Sequence, residues 1–138
     1  MKKVILLILL LLPMVINAQN NNAIILKTTS YNIYDFDKAE WEGDNKAELL
    51  ITIDLDDEII QIDNGYKDVF YIRSISDTRI NKDSDNDQYS AWDIQCYDKD
   101  GNKCDLTYRV YDEYNYQLLM ISYSNVQYIY ICKRLDSQ

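Results

Sequence analysis

The side chains able to do chemistry are few in kind. Three cysteines (Cys96, Cys104 and Cys132), 23 carboxylates and 13 tyrosines stand in a chain of 138 residues that has no histidine. Without imidazole, Ser-His-Asp and Cys-His catalysis, zinc sites of the usual histidine type and a proton switch near neutral pH are excluded. An enzyme built from this chain would have to use carboxylates, tyrosines, lysines or thiols. The sequence carries no Walker, Rossmann, nucleophile-elbow or CxxC motif.

Asp83, Asp85 and Asp87 alternate in the manner of the first half of an EF-hand loop, where hard oxygen ligands take calcium. The sixth position of that frame is Gln88 in place of the turn-forming glycine, and the twelfth is Ile94 in place of the bidentate glutamate. Two readings remain: a calcium site made by Asp83, Asp85 and Asp87, or a solvated acidic loop. No other cofactor is indicated. The run Asp98-x-Asp100-Gly101-Asn102 departs from the same frame, with Lys103 where the glycine belongs. Glycoside hydrolysis needs two acids at a set separation across a cleft. Among 23 acids, spacing alone singles out no pair.

These groups must be positioned by strands. Tyr, Ile, Val and Thr are abundant and apolar residues alternate, the period of a strand. Leu49, Ile51, Ile53 and Leu55 precede a reversal at Asp56-Asp57 that sets Ile53 opposite Ile60 and Ile51 opposite Ile62. Asn64-Gly65 reads as a two-residue turn pairing Asp63 with Tyr66, which puts Val69 and Tyr71 on the inner face. Residues 76–88 read as a polar loop. Residues 37–46 are ambiguous, with room for a helical turn in which Trp41 caps a barrel end.

A three-residue loop at Lys99-Asp100-Gly101 sets Cys96 opposite Cys104, the pair expected to form a disulfide if one exists. Such a pair is a hydrogen-bonded one, about 5.5 Å between Cα atoms, which is awkward for a bond and leaves buried free thiols as the alternative. Continuing the register gathers Trp92, Ile94, Leu106, Tyr108, Leu119, Ile121, Tyr123, Val126, Tyr128 and Tyr130 on one face. The opposite face of the last hairpin carries Leu118, Met120, Ile129 and Ile131, apolar enough to need a cover. Residues 23–36, a second sheet or another molecule can supply it, and this stripe is a candidate binding surface.

The expected fold is all-β: an antiparallel meander of about seven or eight strands, either barrel-like (calycin-like) or a two-layer sandwich. It follows an N-terminal signal peptide at residues 1–18, in which Lys2 and Lys3 precede an apolar run and Ala18 marks the cleavage point. Residues 19–138 make one β domain, with no integral membrane span once the signal is removed, since the apolar run is shorter than the roughly 20 residues a span needs. Export places the domain in the periplasm, on the outer surface or outside the cell.

Losing the two leader lysines leaves 12 basic residues against 23 acidic ones, a formal charge of −11. Nucleic acid is thereby a poor partner. The leading expectation is a non-enzymatic binding or interaction module that engages a cationic exported protein through its barrel end or the outer stripe. A carrier with an apolar barrel cavity for a small ligand is the alternative, and a carboxylate-based hydrolase a third reading.

Overall fold

Alternation at period two, continued through short reversals, produces strands most of which pair with the next. A computed structural model describes residues 23–63 and 65–135. The nine strands are β1 (Ala23–Asp35), β2 (Glu40–Asp54), β3 (Ile59–Asp63), β4 (Lys67–Ile75), β5 (Arg79–Lys82), β6 (Gln88–Asp98), β7 (Lys103–Tyr111), β8 (Gln117–Ser122) and β9 (Val126–Arg134). The expected leader lies outside the described residues.

Of the barrel and the sandwich, the structure is the barrel. Sequential neighbours pair antiparallel except β4 and β5; β4 pairs instead with β6, and β1 pairs with β9 to close an eight-stranded ring. β5 prolongs β4 along the same edge of β6. Inside the ring lies one apolar cluster that includes Leu26, Ile51, Ile53, Ile60, Phe70, Leu106, Leu119 and Ile121. Closure leaves the walls without the long unpaired edge that an open meander would present.

Much of the expected register is present. Ile53 pairs with Ile60 and Ile51 with Ile62, Cys96 with Cys104, and Leu119 with Tyr130. The hairpin between β3 and β4 differs. Asp63 pairs with Lys67 instead of Tyr66, so Phe70 faces Ile60 and is buried, while Tyr71 is 52 % exposed. A slip of one residue exchanges the two faces of a strand. Here the larger apolar gain from burying the Phe70 ring outweighs the ideal two-residue turn.

Three further expectations are corrected. Residues 79–82 are a strand within the expected polar loop; all four are exposed, so main-chain pairing to β6 holds them and no burial pattern announces it. Residues 40–46 extend β2 in place of a helical turn, and Trp41 is 57 % exposed, its ring edge-on to Tyr34 at 4.9 Å. Residues 23–35 are a wall strand and do not cover the outer stripe.

Five reversals share one device. Oδ1 of Asp35, Asp54, Asp63, Asp83 and Asp98 each accepts one or two backbone N–H groups of the loop that follows, at 2.8–3.2 Å. A short carboxylate at a strand end thus substitutes for backbone pairing where the chain turns. Each of these loops also holds one residue at positive φ: Ala39, Glu58, Gly65, Asn86 and Gly101.

The slipped hairpin gives a direct test. Phe70→Ala should lower the unfolding free energy by about 3–5 kcal/mol, whereas Tyr71→Ala should stay within about 1 kcal/mol, measured by urea denaturation. The reverse ranking would restore the two-residue turn.

Candidate functional site

In an antiparallel ring, alternate loops emerge at the same end. The loops after β1, β3, β6 and β8 form one rim, which we call the mouth; those after β2, β5 and β7 form the other. The half away from the mouth is filled: Trp92 stacks on Tyr108 at 5.8 Å and donates its indole N–H to Thr78 Oγ1 at 2.8 Å. The mouth half is not. It holds a cavity of about 740 Å³, floored by Leu49, Ile62, Phe70 and Ile121 and walled by tyrosine rings.

The tyrosines come from strands far apart in sequence. Both ladders of β1 shift register between Thr28 and Ser30. Before the shift Leu26 and Thr28 are fully buried; after it Tyr31 and Ile33 line the cavity. The bulge thereby reverses which alternate residues point inward. Tyr31 then lies 5.7 Å from Tyr130, Tyr130 stacks with Tyr128 at 6.5 Å, and Tyr123 meets Tyr128 edge-on at 6.5 Å. Burial pushes the Tyr130 phenol well above its ordinary pKa, with the Tyr128 phenol adding to the shift. Burial does the same for Tyr123, followed by the nearby Cys104 and Asp98. Both phenols therefore stay neutral.

The cavity rim carries Glu48, Asp68, Asp98 and Asp100, with Lys99 the one basic residue among those lining it. Lys99 Nζ lies 3.6 Å from Asp68 Oδ1. Asp98 is held below the usual carboxylate range: partial desolvation opposes this, but hydrogen bonds from Asn102, Asp100 and Tyr123 outweigh it. That direction is opposite to what a general acid requires.

The three aspartates weighed as a calcium site or a solvated acidic loop do converge, their carboxylate oxygens lying within 4.8 Å of one another at the end away from the mouth. They also have work within the protein. Asp83 Oδ1 accepts the N–H groups of Asp85 and Asp87, its Oδ2 accepts the Tyr111 hydroxyl at 2.9 Å, and Asp87 Oδ2 accepts the Tyr114 hydroxyl at 3.1 Å. The loop is thus organised by its own hydrogen bonds and folded onto an outer aromatic cluster of Tyr89, Ala91 and Tyr111. Arg109 tops that cluster, its guanidinium 3.9 Å from the centre of the Tyr89 ring.

On the outer wall Leu118 pairs with Ile131 and Met120 with Ile129, as expected, and each of the four is half-buried. Leu118 packs on the outer aromatic cluster, so part of the stripe is covered from within the protein.

The expected disulfide is absent: Cys96 and Cys104 face each other across the ladder as buried free thiols, beyond bonding distance. The backbone bond from Asp98 N–H to the Asn102 carbonyl makes theirs a hydrogen-bonded pair two residues further on. In hydrogen-bonded pairs the Cβ atoms lie at the wide end of the roughly 4.5–5.5 Å cross-strand range, beyond the roughly 3.8 Å typical of a disulfide. Cys132, near neither, shares a 3.3 Å hydrogen bond with Thr28 Oγ1. Burial pushes the Cys96 thiol up to about 12 and those of Cys104 and Cys132 to about 11.

Sequence reading placed Tyr123, Tyr128 and Tyr130 on the inner face but took them for core; it missed Tyr31, Glu48 and Asp68 as neighbours of one space. The pairing of β1 with β9 that assembles them joins the two ends of the domain and leaves no local signal.

The fold and this cavity define a single-layer, up-and-down β-barrel open at one end. Comparison of the chain with models of protein families, with curated proteins and with solved structures found no match.

Buried, protonated thiols are poor nucleophiles. The native protein at pH 7 should react with fewer than about one equivalent of a thiol reagent within minutes, and the urea-unfolded protein, without reductant, with all three. A single reactive thiol on unfolding would reinstate a disulfide.

Proposed function

We propose that the chain is a non-enzymatic binding domain, working outside the cytoplasm, which takes a small molecule into the mouth of its barrel. The observation that carries this reading is the 740 Å³ cavity itself, of the size of known small-molecule sites and combining an apolar floor with a few convergent polar groups. A domain that needed only a packed core would gain by filling it, since void space costs contact energy. Trp92 and Tyr108 fill the other half of the same barrel, so the tyrosines of the mouth half frame a space that the fold had side chains to close.

The carrier reading thus has more support than docking through the outer stripe, part of which is occupied by the protein's own aromatic cluster. Catalysis by carboxylates draws no support from Asp98, because its hydrogen bonds hold it ionised. The leader-like residues 1–18 are the basis for placing the domain outside the cytoplasm.

A neutral fluorescent probe tests this. N-phenyl-1-naphthylamine should bind with a micromolar-range Kd and enhanced, blue-shifted emission, and Leu49→Trp, which fills the floor, should weaken binding at least about tenfold without lowering Tm by more than a few degrees. Unchanged binding to Leu49→Trp would place the probe elsewhere and remove the cavity reading.

A further inference from the structure

The geometry points to an organic cation as the ligand class of the barrel mouth: a quaternary or protonated amine carried on an apolar body. This rests on the cavity being the ligand site and specifies what enters it.

Three features of the cavity converge on that chemistry. Its wall is a continuous set of phenol rings, Tyr31 against Tyr130 at 5.7 Å, Tyr130 against Tyr128 at 6.5 Å and Tyr128 against Tyr123 at 6.5 Å. The face of an aromatic ring carries negative potential and attracts a cation within about 6 Å, the more so where water is excluded. Above the rings the rim sets four carboxylates against one ammonium, a local charge of −3, and that ammonium lies beside Asp68. A concave site lined by one sign of charge concentrates ions of the other sign, and the chain as a whole is acidic, so anions are turned away at both ranges. Below the rings, Leu49, Ile62, Phe70 and Ile121 offer only apolar surface. A fully solvated metal ion gains nothing from such a floor.

An inorganic cation is further disfavoured by the rim itself. Calcium needs six to eight oxygens converging at about 2.3–2.6 Å. Asp98 instead has both oxygens engaged by Asn102, Asp100 and Tyr123. Carboxylates spread around an opening, with aromatic faces beneath, match a large, weakly hydrated charge. The two phenols that burial holds neutral, Tyr123 and Tyr130, add hydroxyls without adding charge inside the cavity.

The experiment is an NMR titration of the isotopically labelled protein with three probes: acetylcholine, its uncharged isostere 3,3-dimethylbutyl acetate, and maltotriose as a neutral sugar that also favours tyrosine-lined sites. Acetylcholine should shift the resonances of Ile121, Tyr128 and Tyr130 and bind at least about tenfold more tightly than its isostere. Raising salt from about 20 mM to about 500 mM should weaken it several-fold while leaving the isostere unaffected. The double variant Glu48→Gln/Asp68→Asn, which changes rim residues outside the buried core and keeps the rings, should lose most of that salt dependence. Equal or tighter binding of the isostere at these residues overturns the cation inference and leaves the cavity reading standing. Maltotriose shifting the same residues when acetylcholine does not overturns it in favour of a sugar. Shifts from none of the three at Ile121, Tyr128 and Tyr130 overturn it too, and the cavity reading then stands or falls on the neutral-dye experiment with Leu49→Trp.

Discussion

The ladder between β1 and β9 is the constraint on which the rest depends. Six of the eight wall contacts join consecutive strands by short reversals, and β4 meets β6 through the segment that holds β5; these seven would form in an open meander as well, whereas the eighth brings together residues about 100 positions apart. The seam runs from one end of the barrel to the other. Leu135 N–H donates to the Ile25 carbonyl at 3.0 Å, and Phe36 N–H to the Asn125 carbonyl at 3.0 Å at the mouth. Without it β1 would present its N–H and C=O groups to solvent as an edge, and Tyr31 would have no Tyr130 to meet. The cavity is therefore a product of closure combined with the bulge near Thr28, which turns Tyr31 and Ile33 inward on a strand whose first half turns Leu26 and Thr28 inward.

Among the 23 acidic residues two roles stand out, and Asp98 has both. Asp35, Asp54, Asp63, Asp83 and Asp98 each stand at a strand end and hold the following loop through Oδ1. For these residues a carboxylate is first a hydrogen-bond acceptor with a short reach, and its charge comes with it. Among the described residues Glu48 and Asp100 accept no such loop N–H, yet they lie at the mouth of the cavity, and Asp68 faces Lys99 there. Net charge alone cannot distinguish the two roles, so an acidic composition does not tell which carboxylates hold turns and which stand at the rim of the cavity.

How far the sequence is legible follows the same division between local and distant. Hairpins whose inner residues are all strongly apolar read correctly, because a one-residue slip would expose Ile51, Ile53, Ile60 or Ile62. The hairpin after β3 misleads because Val69, Phe70, Tyr71 and Ile72 are all candidates for the interior, so alternation does not choose between them. β5 is invisible to periodicity, since its four residues are all exposed and only β6 holds them. The facing cysteines read correctly as neighbours, and the spacing of a hydrogen-bonded pair then keeps them apart as thiols. As to the site, three of the four tyrosines whose rings meet in its wall could be assigned to the inner face, but which face is core and which is cavity depends on how the ring closes and how much its interior is filled. Neither quantity has a signature at period two.

The most direct test of closure is the set of cross-strand Hα–Hα nuclear Overhauser contacts in the labelled protein. The hydrogen bonds at the two ends of the seam make Tyr31–Tyr130 and Ile33–Tyr128 non-hydrogen-bonded pairs, with Cα atoms about 4.5 Å apart and strong Hα–Hα contacts. The account predicts both contacts together with Met120–Ile129 across the last hairpin. Finding Met120–Ile129 without Tyr31–Tyr130 and Ile33–Tyr128 would mean that the meander is open, and the cavity, with the function read from it, would go with the seam.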